Sequence, residues 1–203
     1  ATGLKTLNEG QAIAAQAEAR AGDAGRPNHF VVVGGGYTGF EAASHLASRL
    51  SRLLRVPAAG LPDVARIVLV EKSDTPLRNV SPDARAWAVK LLADFGVELR
   101  VQCTLQGVDA DGTARLSDGE ALADALVIWS AGVTPGPAVD PLHADRRTAG
   151  RLAVDEFLRV PGSGRIFAAG DVAAARPPGH DRPLRMGVQF SLMAGRAAAD
   201  NAL

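Results

Sequence analysis

The chain has 203 residues, 47% hydrophobic but only 4% aromatic, with a formal net charge of zero from 22 basic and 22 acidic side chains. That length supports one large domain or two small ones, with a core of Ala, Val and Leu. Zero net charge supplies no long-range attraction toward nucleic acid or an anionic membrane, and no nucleic-acid partner is expected. The single cysteine, Cys103, excludes an internal disulfide and any multi-cysteine metal cluster. No apolar run approaches the roughly 20 residues of a membrane-spanning helix, and the first residues carry no signal-peptide pattern, so a reducing cytoplasm is the expected setting.

Thr6-Leu7-Asn8-Glu9 has capping-box spacing and predicts a helix to about Arg20, broken by Gly22 to Pro27. A strand follows at Phe30–Val33, then a helix from about Thr38 to Leu54 and a loop through Pro57 and Pro62. The continuous apolar run Ile67-Val68-Leu69-Val70, ending in Glu71, predicts a second strand buried on both faces, as in parallel sheets. Ser81-Pro82-Asp83 reads as an N-cap with proline at the first helical position, opening a helix to about Phe95 that Gly96 ends. Val97–Val101 is a third strand, and residues 105–116 alternate around Asp111-Gly112, a hairpin signal. Ala125–Trp129 is a further strand, with Trp129 expected in the core. Beyond Pro135 the pattern turns irregular, with a strand expected at Ile166–Asp171 and an Ala-rich helix from about Met186. The order predicts an α/β, doubly wound parallel sheet with helices and an antiparallel meander.

The most informative stretch is His29-Phe30-Val31-Val32-Val33-Gly34-Gly35-Gly36-Tyr37-Thr38-Gly39, a β-branched strand running into a glycine turn and a helix. Gly34, Gly36 and Gly39 supply the G-x-G-x-x-G spacing. The first permits a tight turn, the second lets a pyrophosphate approach the backbone, and the third lets helix and strand pack closely. The helix N-terminus at Tyr37 and Thr38 then offers free N–H groups to the phosphates. Glu71, ending the next strand, has the placement of a ribose-binding carboxylate that repels a 2′-phosphate. Lys72 beside it counts against strict preference for NADH.

The chain resembles the pyridine nucleotide–disulfide oxidoreductase superfamily of FAD/NAD-linked reductases, and within it type II NADH dehydrogenase-like flavoproteins. Residues 31–46, 127–135, 150–155 and 166–172 carry the resemblance, with Ile166-Phe167-Ala168-Ala169-Gly170-Asp171 the most specific stretch after the glycine turn. It implies a Rossmann-like FAD/NAD(P)-binding fold with NAD(H) and FAD as cofactors. Residues 26–135 would form the NAD(H)-binding domain, and residues 1–25 with 136–203 part of an FAD-binding domain. The glycine turn for the FAD adenosine diphosphate is missing from the first residues, so the chain is expected to be an excerpt, inactive alone. The implied activity is hydride transfer from NADH to flavin and onward to an acceptor such as a quinone. A ferredoxin or rubredoxin reductase and a non-catalytic nucleotide-binding module stand as alternatives. The setting would be cytoplasmic, or peripheral at the inner face of the plasma membrane, with a homodimer left open.

The resemblance also assigns residues. Glu41, in the first turn after the glycines, complements the helix dipole or lines the nicotinamide side. Ala131 and Gly132 are small enough to let the nicotinamide pass toward the flavin. Gly170 and Asp171 would meet the flavin ribityl chain, with an ordinary helix N-cap as the other reading of Asp171. Val188 and Gln189 lie where type II enzymes place a glutamine beside the flavin, although a surface glutamine fits equally. No protein group is assigned as a catalytic acid or base, because the cofactors carry the chemistry. Cys103 reads as a buried apolar thiol. His29, His45, His143 and His180 share no metal-ligand spacing, and Arg49, Arg52 and Arg55 form a solvated helix edge.

Overall fold

A computed structural model describes the chain except for Ala24, Arg26, His143, Ala144, Arg146 and Arg147. His143 and the expected domain start at residue 26 thus lie outside the described residues. Two compact units are present, Ala1–Gly132 and Val133–Leu203.

The first unit runs β1 (Thr2–Gly3), α1 (Leu7–Ala21), β2 (His29–Val33), α2 (Tyr37–Leu54), β3 (Arg66–Val70), α3 (Pro82–Asp94), β4 (Val97–Arg100), β5 (Leu105–Val108), β6 (Ala114–Leu116), β7 (Ala121–Leu122) and β8 (Leu126–Trp129). The helix starts follow local chemistry. Thr6 Oγ1 accepts from Glu9 N–H (3.2 Å) while Glu9 Oε2 accepts from Thr6 N–H (2.8 Å), a reciprocal capping box. Ser81 caps α3 by accepting from Ala84 N–H, with Pro82 in the first turn. Gly96 takes φ +75° just past the end of α3, the left-handed exit for which glycine has no steric penalty.

Five parallel strands form one sheet in the order β1-β8-β2-β3-β4. Val31 pairs with Val68 on one side and Val127 on the other. Past their first residues, His29 and Arg66, strands β2 and β3 are apolar, as is β8, because both faces are covered. Phe30, Val32, Ile67, Leu69, Leu126 and Ile128 pack toward α1, α2 and α3. Val31, Val33, Val68, Val70 and Val127 pack instead against the antiparallel β5-β6-β7 meander, through Ala114, Leu116 and Leu122. Each such side chain taken fully out of water contributes about 1.5–3 kcal/mol.

The chain places β3 and β4 on one side of β2, then returns to place β8 on the other. The strand order therefore reverses at the carboxyl end of β2, the topological switch point where open α/β sheets leave a crevice. That reversal positions the candidate site.

α1 buries Ile13 and Ala17 in the same core as Phe40 and Ala43, within the first compact unit. Two details depart from the sequence reading. β1 has no counterpart among the expected elements; its two residues are a strand because Thr2 and Gly3 pair with Ile128 and Trp129. The strand expected at Ile166–Asp171 reduces to one antiparallel bridge, Arg159 to Phe167. Leu158 takes φ +63° and Gly170 φ +71°, and these turns end the pairing on either side.

The second unit holds that bridge, a parallel bridge from Leu152 to Ala173, and α4 (Val188–Ala202). Its small core gathers Leu152, Val160, Ala168 and Ala173.

Candidate functional site

At the switch point the glycine turn leaves β2. Gly34 takes φ +111°, and a Cβ there would come within 2.8 Å of Ala131 Cα at the end of β8. Gly39 lies in the first turn of α2, where a Cβ would fall 1.8 Å from the Gly34 carbonyl oxygen. Gly36 differs: a Cβ there meets nothing within 4 Å. Gly34 and Gly39 are therefore glycine because the fold requires it, whereas Gly36 keeps open a space that protein atoms leave free. Gly36 is the N-cap of α2 and offers no side-chain cap. The first-turn N–H groups thus face outward with the positive end of an 18-residue helix dipole behind them.

Glu71 follows the last residue of β3 and reaches back over this turn. Its Oε2 accepts from Gly35 N–H (2.7 Å), and its Oε1 accepts from Ser73 N–H (2.8 Å) and from the Ser73 hydroxyl (2.5 Å). Burial pushes the carboxyl up, but the Ser73 hydroxyl and amide, the Gly35 amide and the Arg78 charge together hold it below the ordinary glutamate value. It is an anion with lone pairs left over for a diol. Gly35 has no room for a side chain, since a Cβ would lie 2.8 Å from Glu71 Cβ.

Two depressions open on either side of Glu71. The larger, about 420 Å³, spans the carboxyl ends of β3, β2 and β8 and is lined by Gly34, Gly36, Lys72, Ser130, Ala131 and Gly132 among others. A smaller one of about 180 Å³ lies under Tyr37, Arg78 and Asn79. The structure thus brings together Gly34, Gly35, Gly36, Tyr37, Glu71, Lys72, Ala131 and Gly132. Glu41 faces a different cavity, between α1 and α2, which Thr38, His45 and Arg49 also line, while Thr38 follows Tyr37 in the first turn of α2. Arg49 also forms an ion pair with Glu18 of α1.

Sequence reading missed three participants. Trp129, expected in the core, is 42% exposed and lines the crevice, because it is the last residue of β8, at the carboxyl end of the sheet. Ser130 donates from its hydroxyl to Val33 O (2.8 Å) and so ties β8 to β2 just below the turn. Arg78 donates to the Ser73 hydroxyl that in turn holds Glu71. A cation seven residues beyond a strand-end acid was the available signal. Cys103 is buried as expected, with its thiol 3.6 Å from Asp118 Oδ2.

In the second unit, Asp171 sits in the 3-10 turn Gly170–Val172, and its Oδ1 accepts from Gly187 N–H (2.9 Å) and the Ser191 hydroxyl (3.2 Å). Asp171 therefore anchors the start of α4, whose first residues Val188 and Gln189 are exposed. A separate groove of about 360 Å³ in this unit is lined by Leu158, Arg176, Phe190 and Met193. Among the described residues no group of three or more His, Cys, Asp or Glu is arranged to hold a metal ion.

A glycine turn at the switch point of a parallel sheet, with a carboxylate at the end of the neighbouring strand, defines a Rossmann-like dinucleotide-binding fold. The chain belongs to the pyridine nucleotide-disulphide oxidoreductase family, whose profile matches residues 1–200. It is 41% identical over 146 residues to an NADH dehydrogenase-like protein of Mycobacterium tuberculosis, spanning 72% of this chain and 36% of that protein. A type II NADH:quinone oxidoreductase of Staphylococcus haemolyticus is 29% identical over 172 residues, 83% of this chain and 42% of that protein. The crystal structure of a ferredoxin reductase from Rhodopseudomonas palustris superposes with a TM-score of 0.74 at 22% identity, over 100% of this chain and 46% of that one. The chain thus spans less than half the length of each of these proteins.

Proposed function

We propose that the first unit binds NADH across the carboxyl ends of β3, β2 and β8, and that the whole protein is an FAD-linked, NADH-dependent oxidoreductase. The observation that carries the reading is the pairing of an open Gly36 with an anionic Glu71 already fastened to the same turn. The uncapped N-terminus of α2 would take the pyrophosphate. Glu71 would accept from the adenosine ribose hydroxyls and disfavour a 2′-phosphate. Ala131 and Gly132, small and exposed at the end of β8, would leave room for the nicotinamide. When bound, nicotinamide and flavin supply hydride transfer, and this chain's residues hold and orient the rings.

Residues 136–203 would supply one side of the flavin site, with Gly170, Asp171, Val188 and Gln189 at the junction of the 3-10 turn and α4. Asp171 fits a polar ribityl chain, because its carboxylate lies exposed beside the start of α4. The names of the sequence relatives favour a quinone as acceptor. No described helix is long and apolar enough to cross a membrane, and peripheral attachment suits a quinone acceptor.

Two measurements test this. Calorimetry on the chain should show NADH binding tighter than NADPH; equal affinities would remove the role given to Glu71. The full-length protein should be yellow and bleach on adding NADH, with reoxidation by a soluble quinone. A colourless full-length protein would leave only a nucleotide-binding module, and reoxidation solely by an iron–sulfur protein would move the acceptor to the ferredoxin class.

A further inference from the structure

Lys5 reaches Gly132, one of the residues that line the crevice, and neither cofactor chemistry nor the glycine turn accounts for it. Parallel pairing of Thr2 with Ile128 and Gly3 with Trp129 carries the chain past the carboxyl end of β8, so backbone topology alone sets residues 4 and 5 beside residues 130–132. The capping box then fixes the backbone there, since Glu9 Oε2 accepts from both Lys5 N–H and Thr6 N–H at 2.8 Å. From that anchored position Lys5 Nζ donates to Gly132 O at 2.5 Å. Gly132 is itself in a left-handed conformation at φ +87°, in a turn that its N–H closes onto Ser130 O (2.9 Å). That turn lines the crevice with Ala131 and is otherwise exposed.

We infer that Lys5 is a positioning residue for the nicotinamide end of the dinucleotide site: it holds the Ser130–Gly132 turn in the shape that admits the ring. This rests on the nucleotide reading above, and it deepens that reading by separating the two ends of the ligand. Among the described residues Lys5 Nζ is bonded at the β8 end, so its effect is confined to ligands that reach that far. The adenosine end, built by Glu71 and Gly35, does not sense it.

The test compares NADH with ADP-ribose, which keeps the adenosine, the pyrophosphate and a ribose but lacks the nicotinamide. Lys5→Met should weaken NADH binding about five- to tenfold and leave ADP-ribose unchanged. Lys5→Arg, which can still donate to the Gly132 carbonyl, should restore NADH affinity. Glu71→Ala serves as the control and should weaken both ligands. Equal weakening of NADH and ADP-ribose by Lys5→Met, abolished in high salt, would overturn the proposal and leave a plain charge effect. Unchanged NADH affinity in Lys5→Met would also overturn it while the site reading stands. Binding of neither ligand by the unmutated chain would bring down the nucleotide reading and the role of Lys5 with it.

Discussion

Gly36 and Gly39 stand three residues apart in one motif, yet the structure assigns them opposite consequences. At Gly39 an added methyl would sit 1.8 Å from the Gly34 carbonyl oxygen and 2.9 Å from the Ser130 hydroxyl. Both the helix and the strand turn would have to move, and no flexible side chain can absorb the shift. Overpacking of this kind costs about 1–3 kcal/mol, against a gain of about 0.5–1 kcal/mol for replacing a helical glycine by alanine. Gly39→Ala should therefore lose about 1 kcal/mol, which lowers Tm by about 2–4 °C for a protein of this size. At Gly36 the same methyl meets nothing, and φ −83° with ψ −175° suits any residue. Gly36→Ala should keep Tm or raise it slightly, because the unfolded chain loses freedom. It should nevertheless weaken NADH, and Gly36→Val should abolish it, because the side chain fills the phosphate approach. Losing even one charge-assisted hydrogen bond of about 1.5–3 kcal/mol lowers affinity roughly ten- to a hundredfold. Thermal unfolding by circular dichroism and NADH calorimetry on the three variants decide the matter. A Gly39→Ala protein as stable as its parent, or a Gly36→Val protein that binds NADH normally, would refute the division of labour.

Glu71→Ala should narrow the preference for NADH over NADPH, measured as the ratio of the two Kd values. The folded Glu71 carboxyl is held below its ordinary value of 4.5, so the stability it contributes is present above about pH 4.5 and lost as pH falls through the folded value. Acid unfolding curves of the parent and Glu71→Gln should accordingly converge below that pH and diverge above it; parallel curves would show that the carboxylate contributes nothing. Arg66 bridges Glu98 beside β3 and Glu120 in the meander, with 35% of its side chain exposed. Arg66→Met should cost on the order of 1 kcal/mol in low salt and less in high salt, read from urea unfolding at two ionic strengths.

Elements whose cause is local were legible in the sequence. Thr6 and Glu9 specify the start of α1 within one turn, and Ser81-Pro82 does the same for α3. The apolar runs of β2 and β3 announced burial on both faces before any partner was known. What escaped reading depends on distant partners. β1 is two residues long and exists through β8, more than a hundred positions away. Of the proposed nucleotide residues, the glycines and Glu71 were readable from motif and strand end. Glu41 faces α1, since a helix repeat of 3.6 turns the residue two positions past Gly39 away from the crevice. Trp129 was misleading: it continues an apolar run beyond the point where the sheet still has layers to bury it.

Glu71 joins the two kinds of information, and this shapes how its variants should be read. Its side chain occupies the space over Gly35, accepts the Gly35 amide, and takes Ser73 on its other oxygen. The residue that would select the ribose is thus also a strut of the turn that would hold the phosphates. Alanine there removes both functions at once and leaves a half-buried N–H without its acceptor, at a cost of about 1–3 kcal/mol. Part of any loss in NADH affinity would then come from a slackened turn. Glutamine separates the two, since its carbonyl oxygen can still accept from Gly35 while the charge is gone. If repulsion of a 2′-phosphate is what sets coenzyme preference, Glu71→Gln should gain NADPH affinity and keep that for NADH, and Glu71→Ala should lose NADH affinity as well. If both variants lose NADH equally, the ribose contact needs the full carboxylate and the strut is secondary.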